Sequence, residues 1–368
     1  MNFEKYYYLL ALSRIEHIGD VIAKKLIRHC GSAEAVFKEK KSNLLKIQGV
    51  GKSLIRSLEN KAVFEQTEKE LKFIDTNSIE LISFYDNHYP FRLKECFDAP
   101  LLLFQKGRIQ LKKPHVISIV GTRQITAYGK DFLKRLFIEI KKYNPIIISG
   151  LAYGVDILSH QLAIEHNLQT IAVLAHGLDK IYPPAHQKEA KKMQENGGLL
   201  TEFWSGSNPD RENFVKRNRI VAGLSQATLV IESAEKGGSL ITADLANSYN
   251  RDVFALPGRV TDAFSSGCNN LIKTNRASVL TSAKDLAYIL NWEKNEELNG
   301  KGVQKQLFMD LPDEEQKIYN YLLEEGKQQL DVIALHCNYP IHKTVSVLFN
   351  LELKSVIRPL PGKYFEAI

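Results

Sequence analysis

Between residues 114 and 290, six short apolar runs alternate with stretches of helical periodicity, and few folds accommodate that alternation. The runs are His115–Val120, Pro145–Ser149, Thr170–Leu174, Gly198–Glu202, Thr228–Glu232 and Asp252–Leu256. The spacing predicts helices beginning near Ala127, Gly154, Ala185, Arg217, Ser239 and Gly267. Strands this short and this continuously apolar are buried on both faces, and a strand–helix repeat supplies the helices that bury them. The region therefore reads as α/β: an extended Rossmann-like, doubly wound, mostly parallel sheet with its core over 114–290.

The flanks read differently. Residues 1–75 look like short helices, and two of their segments resemble each other. Ile15-Glu-His-Ile-Gly19 precedes Ala23 and Leu26, and Ile47-Gln-Gly49-Val-Gly51 precedes Ile55 and Leu58. Each is a small turn opening a helix with apolar residues at helical spacing. Such a tandem resembles a SAM-like or helix-hairpin-helix domain, whose turns offer N–H groups to phosphate; a purely structural bundle fits equally well. Residues 76–113 read as an extension of the α/β domain, with a strand-like stretch at Glu80–Phe84 and then a turn-rich segment. Residues 291–311 are polar and aperiodic, a linker. Residues 312–368 have a helix-turn-helix rhythm ending in two short strands around Pro361-Gly362, the pattern of a winged helix.

In a doubly wound sheet, ligands sit at the carboxyl ends of the strands, where helix N-termini present N–H groups. Three junctions there are rich in Gly, Ser and Thr: Val120-Gly-Thr-Arg123, Ser149-Gly-Leu-Ala-Tyr-Gly-Val-Asp156 and Glu235-Lys-Gly-Gly-Ser-Leu-Ile-Thr242. Three such junctions at one edge point to a site for an anion or phosphate. A fourth segment, Phe214-Val-Lys-Arg-Asn-Arg219, places three cations beside an aromatic ring and an amide, a set suited to exposed bases and phosphates. At the helix start expected there, the cations call for a nearby anion.

Several chemistries are excluded. The first strand is not followed by G-x-G-x-x-G, and Gly49-Val-Gly-Lys-Ser53 fails as a Walker A loop because Lys46 stands where its first Gly belongs. HExxH and a nucleophile elbow are absent. His115, His160, His166, His176 and His186 have no metal-pair spacing, and His160 reads as a packing or capping residue. Asp156 reads as a residue that orients its glycine loop or caps a helix. No catalytic residue, metal or cofactor is expected. Cys30, Cys96, Cys268 and Cys337 lie too far apart for a disulfide framework or zinc site. With no membrane-length apolar run and no signal-peptide pattern at the start, a cytoplasmic chain with no membrane partner is expected. The net charge of +7 leans toward polyanions, although residues 312–368 are net acidic.

These motifs resemble, in order and over most of the α/β region, the DNA-processing protein A (DprA/Smf) family. The segments that carry the resemblance are Val120–Arg123, Ser149–Asp156, Thr170–Leu174, Tyr182-Pro183, Phe214–Leu224, Gly238–Ala243 and Leu256–Gly258. The resemblance implies cooperative binding of single-stranded DNA, dimerisation through the Rossmann-like domain and loading of the RecA recombinase during natural transformation, without catalysis. It carries the DNA-binding pocket onto Gly121, Thr122, Arg123, Ser149, Gly150, Gly154, Lys216, Arg217, Asn218, Arg219, Gly238 and Ser239, beside Phe214. Val215 departs from the family's usual Pro, His176 from its usual small residue, and Asn275-Arg276 from a common Gly-Ala ending.

Two other functions compete. A small-nucleotide sensor or enzyme would use the same edge, with Asp156 and Glu232 as acid or base. A regulator reading duplex DNA would use residues 312–368, but its expected recognition helix, Ile341–Leu353, offers only His342 and Lys343 against Glu352.

Overall fold

The computed structural model describes residues 4–292, 311–354, 356–360 and 363–367. Most of the expected linker and the Pro361-Gly362 turn lie outside the described residues. The chain divides into two compact units, one running from the N-terminal helices through residue 292 and one formed by the described residues from 311 onward.

The first unit is built on a nine-stranded sheet. Its strands are β1 (Glu80–Ser83), β2 (Leu102–Gly107), β3 (Val116–Val120), β4 (Ile146–Ser149), β5 (Thr170–Val173), β6 (Gly197–Thr201), β7 (Ala227–Val230), β8 (Asp252–Ala255) and β9 (Ser278–Val279). Their order is β1-β2-β6-β5-β4-β3-β7-β8-β9. From β6 through β9 all pairs are parallel, whereas β2 joins β6 and β1 joins β2 antiparallel. The chain winds outward from β3 in one direction to β6 and then restarts beside β3 with β7. That reversal opens a crevice between the carboxyl ends of β3 and β7.

Alternation along the strands sorts the core into layers. Ile117, Ile119 and Ile147 face Phe132, Leu136 and Leu162 of helices Ala127–Ile140 and Val155–Glu165. Val120, Ile146 and Ile148 face Ile220, Leu224 and Ala243 of helices Arg211–Leu224 and Gly238–Ser248. Residues 76–113 are more regular than the turn-rich reading suggests, because β2 carries the same alternation. Leu103 enters the sheet core, and Leu102 and Phe104 point the other way.

That other side is covered by the N-terminal helices, Glu4–Arg14, Asp20–Cys30, Ala33–Lys38, Lys41–Leu44, Lys52–Leu58 and Ala62–Thr76. Leu10, Leu12, Leu26 and Ile74 share one buried cluster with Leu102, Phe104 and Trp204. The helices and the sheet edge therefore have a common core. The two related turns each place a left-handed residue at the same position, His17 (φ 67°) and Gly49 (φ 92°). Directly after the first turn, Asp20 accepts from Leu101 N (2.8 Å) and pairs with Arg219, which ties that helix to the start of β2 and to helix Arg211–Leu224.

One helix boundary overturns an expectation. The helix expected near Arg217 begins at Arg211, behind Pro209 and an extended Asp210 (φ −80°, ψ 158°), with Glu212 in its first turn. Pro, Asp and Glu in that order are start signals. Lys216, Arg217 and Arg219 thus lie inside the helix, where the argument from the dipole at its start does not apply; the cation at the N-terminus is Arg211.

The second unit packs helices Asp313–Glu325, Leu330–Cys337 and Ile341–Leu353 around Ile318, Leu322, Ile333, Leu348 and Leu351. Its three strands are β10 (Gln328–Gln329), β11 (Ile357–Leu360) and β12 (Tyr364–Ala367), with β12 central and antiparallel to both others.

A candidate nucleic-acid interface at the sheet switch point

The crevice between β3 and β7 has a volume of about 630 Å³. Gly121, Thr122, Arg123, Gly150, Phe214, Arg217, Asn218, Gly238 and Ser239 all line it, so the structure brings most of the expected site residues together. A smaller cleft beside it is walled by Tyr153, His176, Tyr182 and Pro183 and shares Arg123, Phe214 and Arg217.

The three glycine junctions are not equivalent. After β3, Thr126 caps its helix by accepting from Gly129 N (3.3 Å), while the Glu232 carboxylate accepts from Thr126 N (2.9 Å) and Thr126 Oγ1 (2.5 Å). After β4, Gly154 takes φ 76°, and a Cβ there would collide with the carbonyl of Thr122, so only glycine lets the two loops touch. Val155 N is then donated to Thr122 O (3.1 Å), and Ala152 N to Asp156 Oδ2 (3.3 Å). Those helix starts are satisfied within the protein. The third, at Gly238, has an extended Gly237 before it and no side chain capping it, so its first N–H groups open onto the crevice.

The floor is a buried polar network. Gly150 lies directly over Asp156 and Arg217, and a Cβ on it would come 2.5 Å from Asp156 Oδ2 and 2.6 Å from an Arg217 nitrogen. Arg217 donates to Val173 O and, through Nε, to Asn218 Oδ1 (3.2 Å). Burial pushes the Asp156 carboxyl above the usual carboxylate range, against the pull of the Arg217 guanidinium and the Ala152 N–H. His160 supports the loop from below. Its Nε2 lies 2.6 Å from Gly150 O, which can only accept, so Nε2 carries the proton and Nδ1 accepts from Thr170 Oγ1 (2.7 Å). Burial depresses its pKa from 6.5 to about 4, and it stays neutral. His160 is therefore a supporting residue.

The rim is cationic and aromatic. Arg123, Arg211 and Lys236 are exposed, and none has a carboxylate within ion-pair distance among the described residues. The Arg123 guanidinium lies over the Phe214 ring, 5.5 Å from its centroid, with Arg217 at 5.9 Å. Tyr182 stands beside Phe214, their centroids 6.2 Å apart.

Four expected residues stand apart from the crevice lining. Ser149 is buried and donates to Ile119 O (2.6 Å), and Gly154 shapes the loop. Lys216 reaches Glu202 Oε2 at 3.1 Å. Arg219 is buried away from the rim, donating to Asp98 O and pairing with Glu202 (2.5 Å) and Asp20 (2.9 Å). Arg211 and Lys236 were missed as site residues. Lys236 sits within the quoted Glu235–Thr242 loop, and the Pro209-Asp210 start signal would have exposed Arg211. The acid–base pair of the competing enzyme reading is not assembled: Glu232 is committed to Thr126, and Asp156 lies beneath Gly150. Among the described residues, no group of three or more His, Cys, Asp or Glu could hold a metal ion, the four cysteines are free, and no helix is long and apolar enough to cross a membrane.

Residues 80–291 match the family model described as DNA recombination-mediator protein A. The chain is 35% identical over 283 residues to protein Smf of Synechocystis, an alignment covering 76% of this chain and 71% of that one. It is 41% identical over 209 residues to the DNA processing protein DprA of Bacillus subtilis, covering 56% and 70%. Among solved structures, DNA processing protein A of Streptococcus pneumoniae superposes with a TM-score of 0.62 at 28% identity, covering 78% of this chain and 97% of that one. The Helicobacter pylori protein, whose structure is described as giving its single-stranded DNA binding mode, superposes with a TM-score of 0.52 at 28% identity, covering 59% and 96%. A switch-point crevice framed by the family's glycine junctions, in a chain that matches the family model from β1 to the end of the first unit, makes this protein a member of the DNA recombination-mediator protein A family.

Proposed function

We propose that this protein binds single-stranded DNA through the switch-point crevice, without catalysing a reaction on it, and protects incoming strands during natural transformation. The observation that carries the reading is the unpaired cationic rim of Arg123, Arg211 and Lys236 around Phe214, above an uncapped helix start at Gly238. Cations attract the backbone, the N–H groups take a phosphate oxygen, and the rings give unpaired bases a face to stack on. Within this reading, Gly121, Thr122, Asn218 and Ser239 contact the strand, Gly150, Gly154, Ser149 and Arg217 hold the crevice in shape, and Lys216 and Arg219 act at one remove. Loading of a RecA recombinase, homodimerisation through the α/β domain, a cytoplasmic location, a SAM-like N-terminal domain and a winged-helix C-terminal unit complete the proposal on the strength of the family resemblance.

The test is fluorescence anisotropy of labelled oligo-dT and its duplex counterpart over a salt series, with wild type and an Arg123→Ala/Lys236→Ala variant. Salt-sensitive preference for the single strand, lost in the variant, is the expected result. Binding indifferent to the variant sinks the proposed site. Tight one-to-one binding of a mononucleotide without affinity for oligo-dT would instead assign the crevice to a small nucleotide.

A further inference from the structure

The smaller cleft beside the crevice holds a residue that the DNA site leaves unused. His176 lines it, is only 1% exposed, and shares it with Arg123, Phe214 and Arg217 of the crevice. Its Nδ1 lies 2.8 Å from Gly177 O. A carbonyl oxygen only accepts, so Nδ1 carries the proton and Nε2 is left with a lone pair. Burial pulls the pKa of the ring below the ordinary 6.5, against the Gly177 carbonyl and the Asp179 carboxylate. The ring is therefore neutral near pH 7, and the lone pair stays in place. That Nε2 is buried and has no hydrogen-bond partner among the described residues. The other histidines of this edge are engaged, His160 at both nitrogens and His186 through Nδ1 with Leu151 O (2.8 Å). A buried acceptor with no partner is uncommon in a folded protein, and one that lines a cleft is suited to a donor brought in from outside.

We propose that the cleft reads the pairing edge of one unpaired base, that His176 Nε2 accepts a ring N–H from it, and that the base selected is thymine. This rests on the reading of the crevice as a single-strand site and adds a base preference to it. Because Arg123, Phe214 and Arg217 belong to both hollows, a nucleotide whose phosphate sits in the crevice has its base beside the cleft. The walls suit a base: Tyr153 and Tyr182 offer ring faces, and Leu151 and Leu174 are apolar. The cleft has a volume of about 30 Å³, so it takes the edge of a base and not the whole ring, and a pyrimidine edge before a wider purine one. Tyr153 and Tyr182 are 50 and 44% exposed, and side chains that exposed turn aside quickly enough to admit it. Thymine presents N3–H at the centre of its pairing edge. Cytosine presents a lone pair there, which would face the lone pair of Nε2. In a duplex the thymine N3–H is already given to adenine, so the same contact turns a paired strand away.

The test is competition anisotropy on the full chain with three strands: oligo-dT, oligo-dC, and oligo-dT built from N3-methylthymidine. Wild type is expected to hold oligo-dT about tenfold more tightly than either of the others, the cost of facing a buried acceptor with no donor. His176→Ala is expected to bind all three alike. A preference for oligo-dT that survives in His176→Ala would overturn the role of His176. Equal binding of oligo-dT and its methylated form by wild type would overturn the base cleft, and that comparison needs no variant to fold. The two readings fail differently. Strands bound without regard to base, yet still dependent on salt, Arg123 and Lys236, would remove the cleft and leave the DNA site standing. Wild type that binds none of the three strands would remove both.

Discussion

Arg123 and Arg219 both fall in segments that resemble the DprA/Smf family, yet their surroundings differ in kind. Arg123 stands exposed at the crevice rim with an aromatic ring beneath it and no ion pair among the described residues. Arg219 is buried between two carboxylates and a carbonyl, tying helix Arg211–Leu224 to the N-terminal helices through Asp20 and to the strand end at Glu202. A cation's role follows from which anions are already beside it. An unpaired exposed cation has its field free for a ligand, and a buried one spends its field on its own fold. Lys216 lies between the two cases, exposed but leaning on Glu202.

The comparison breaks most visibly at Arg219. Arg219→Met removes the buried cation that Glu202 and Asp20 share, leaving Glu202, whose Oε1 has no hydrogen bond, with exposed Lys216 as its cation and Asp20 with the Leu101 N–H. Breaking that buried pair should cost about 3 kcal/mol. Urea unfolding measures it, and the folded fraction should keep the wild-type affinity for oligo-dT. A large loss of affinity with little loss of stability would move Arg219 to the rim.

The crevice floor gives the next largest effect, and it depends on pH. His160 is held neutral, with its pKa lowered from 6.5 to about 4. Between those values the unfolded chain binds a proton that the folded chain refuses. Stability is therefore fully present above about pH 6.5 and falls as the pH drops toward 4, by about 3 kcal/mol from this group. Chemical denaturation across that window should show the slope, and His160→Gln should flatten it even though the variant is less stable at neutral pH. An unchanged slope in the variant would remove His160 from the account of the floor.

At the rim the balance reverses. Arg123→Ala should leave stability within about 0.5 kcal/mol, since the side chain is exposed and unpaired. Single-strand affinity should drop by about 1.5–3 kcal/mol, roughly ten- to a hundredfold, the worth of a hydrogen bond to a charged group. Anisotropy at fixed salt reads the affinity and a melting curve the stability. Equal losses in both would erase the distinction from Arg219.

Much of the parallel sheet was legible in the sequence because each strand declares itself locally. Strand β4, four isoleucine-rich residues buried throughout, lies within the run read from Pro145 to Ser149. What escaped were features set by distant partners. β2 looked like part of a turn-rich segment because its alternating faces serve two cores, one of them belonging to the N-terminal helices. The three glycine junctions looked alike, yet the first is closed by Glu232, 106 residues from the Thr126 it holds. Arg219 looked like a DNA contact because its partner Asp20 is 199 residues away. Glycine, serine and arginine at a strand end mark where a ligand could sit, but which of them are already engaged is settled by tertiary contacts that a motif does not record.

The smallest effect is the sharpest test of how the rim works. Lys236 follows Glu235 in the loop before the one helix start of the three that no internal group closes, and it lines the crevice without an ion-pair partner among the described residues. If it neutralises one backbone phosphate, Lys236→Ala should make the plot of log affinity against log salt shallower by about 0.7, the share of one phosphate on a single strand. The loss at any single salt concentration would be modest, and stability should not move. Lys216→Ala should change the slope less, because Glu202 already takes part of its charge. A full unit of slope lost at Lys216 and none at Lys236 would mean that the strand runs along the outer side of helix Arg211–Leu224 and not across the open helix start, and the proposed path would have to be redrawn around Glu202.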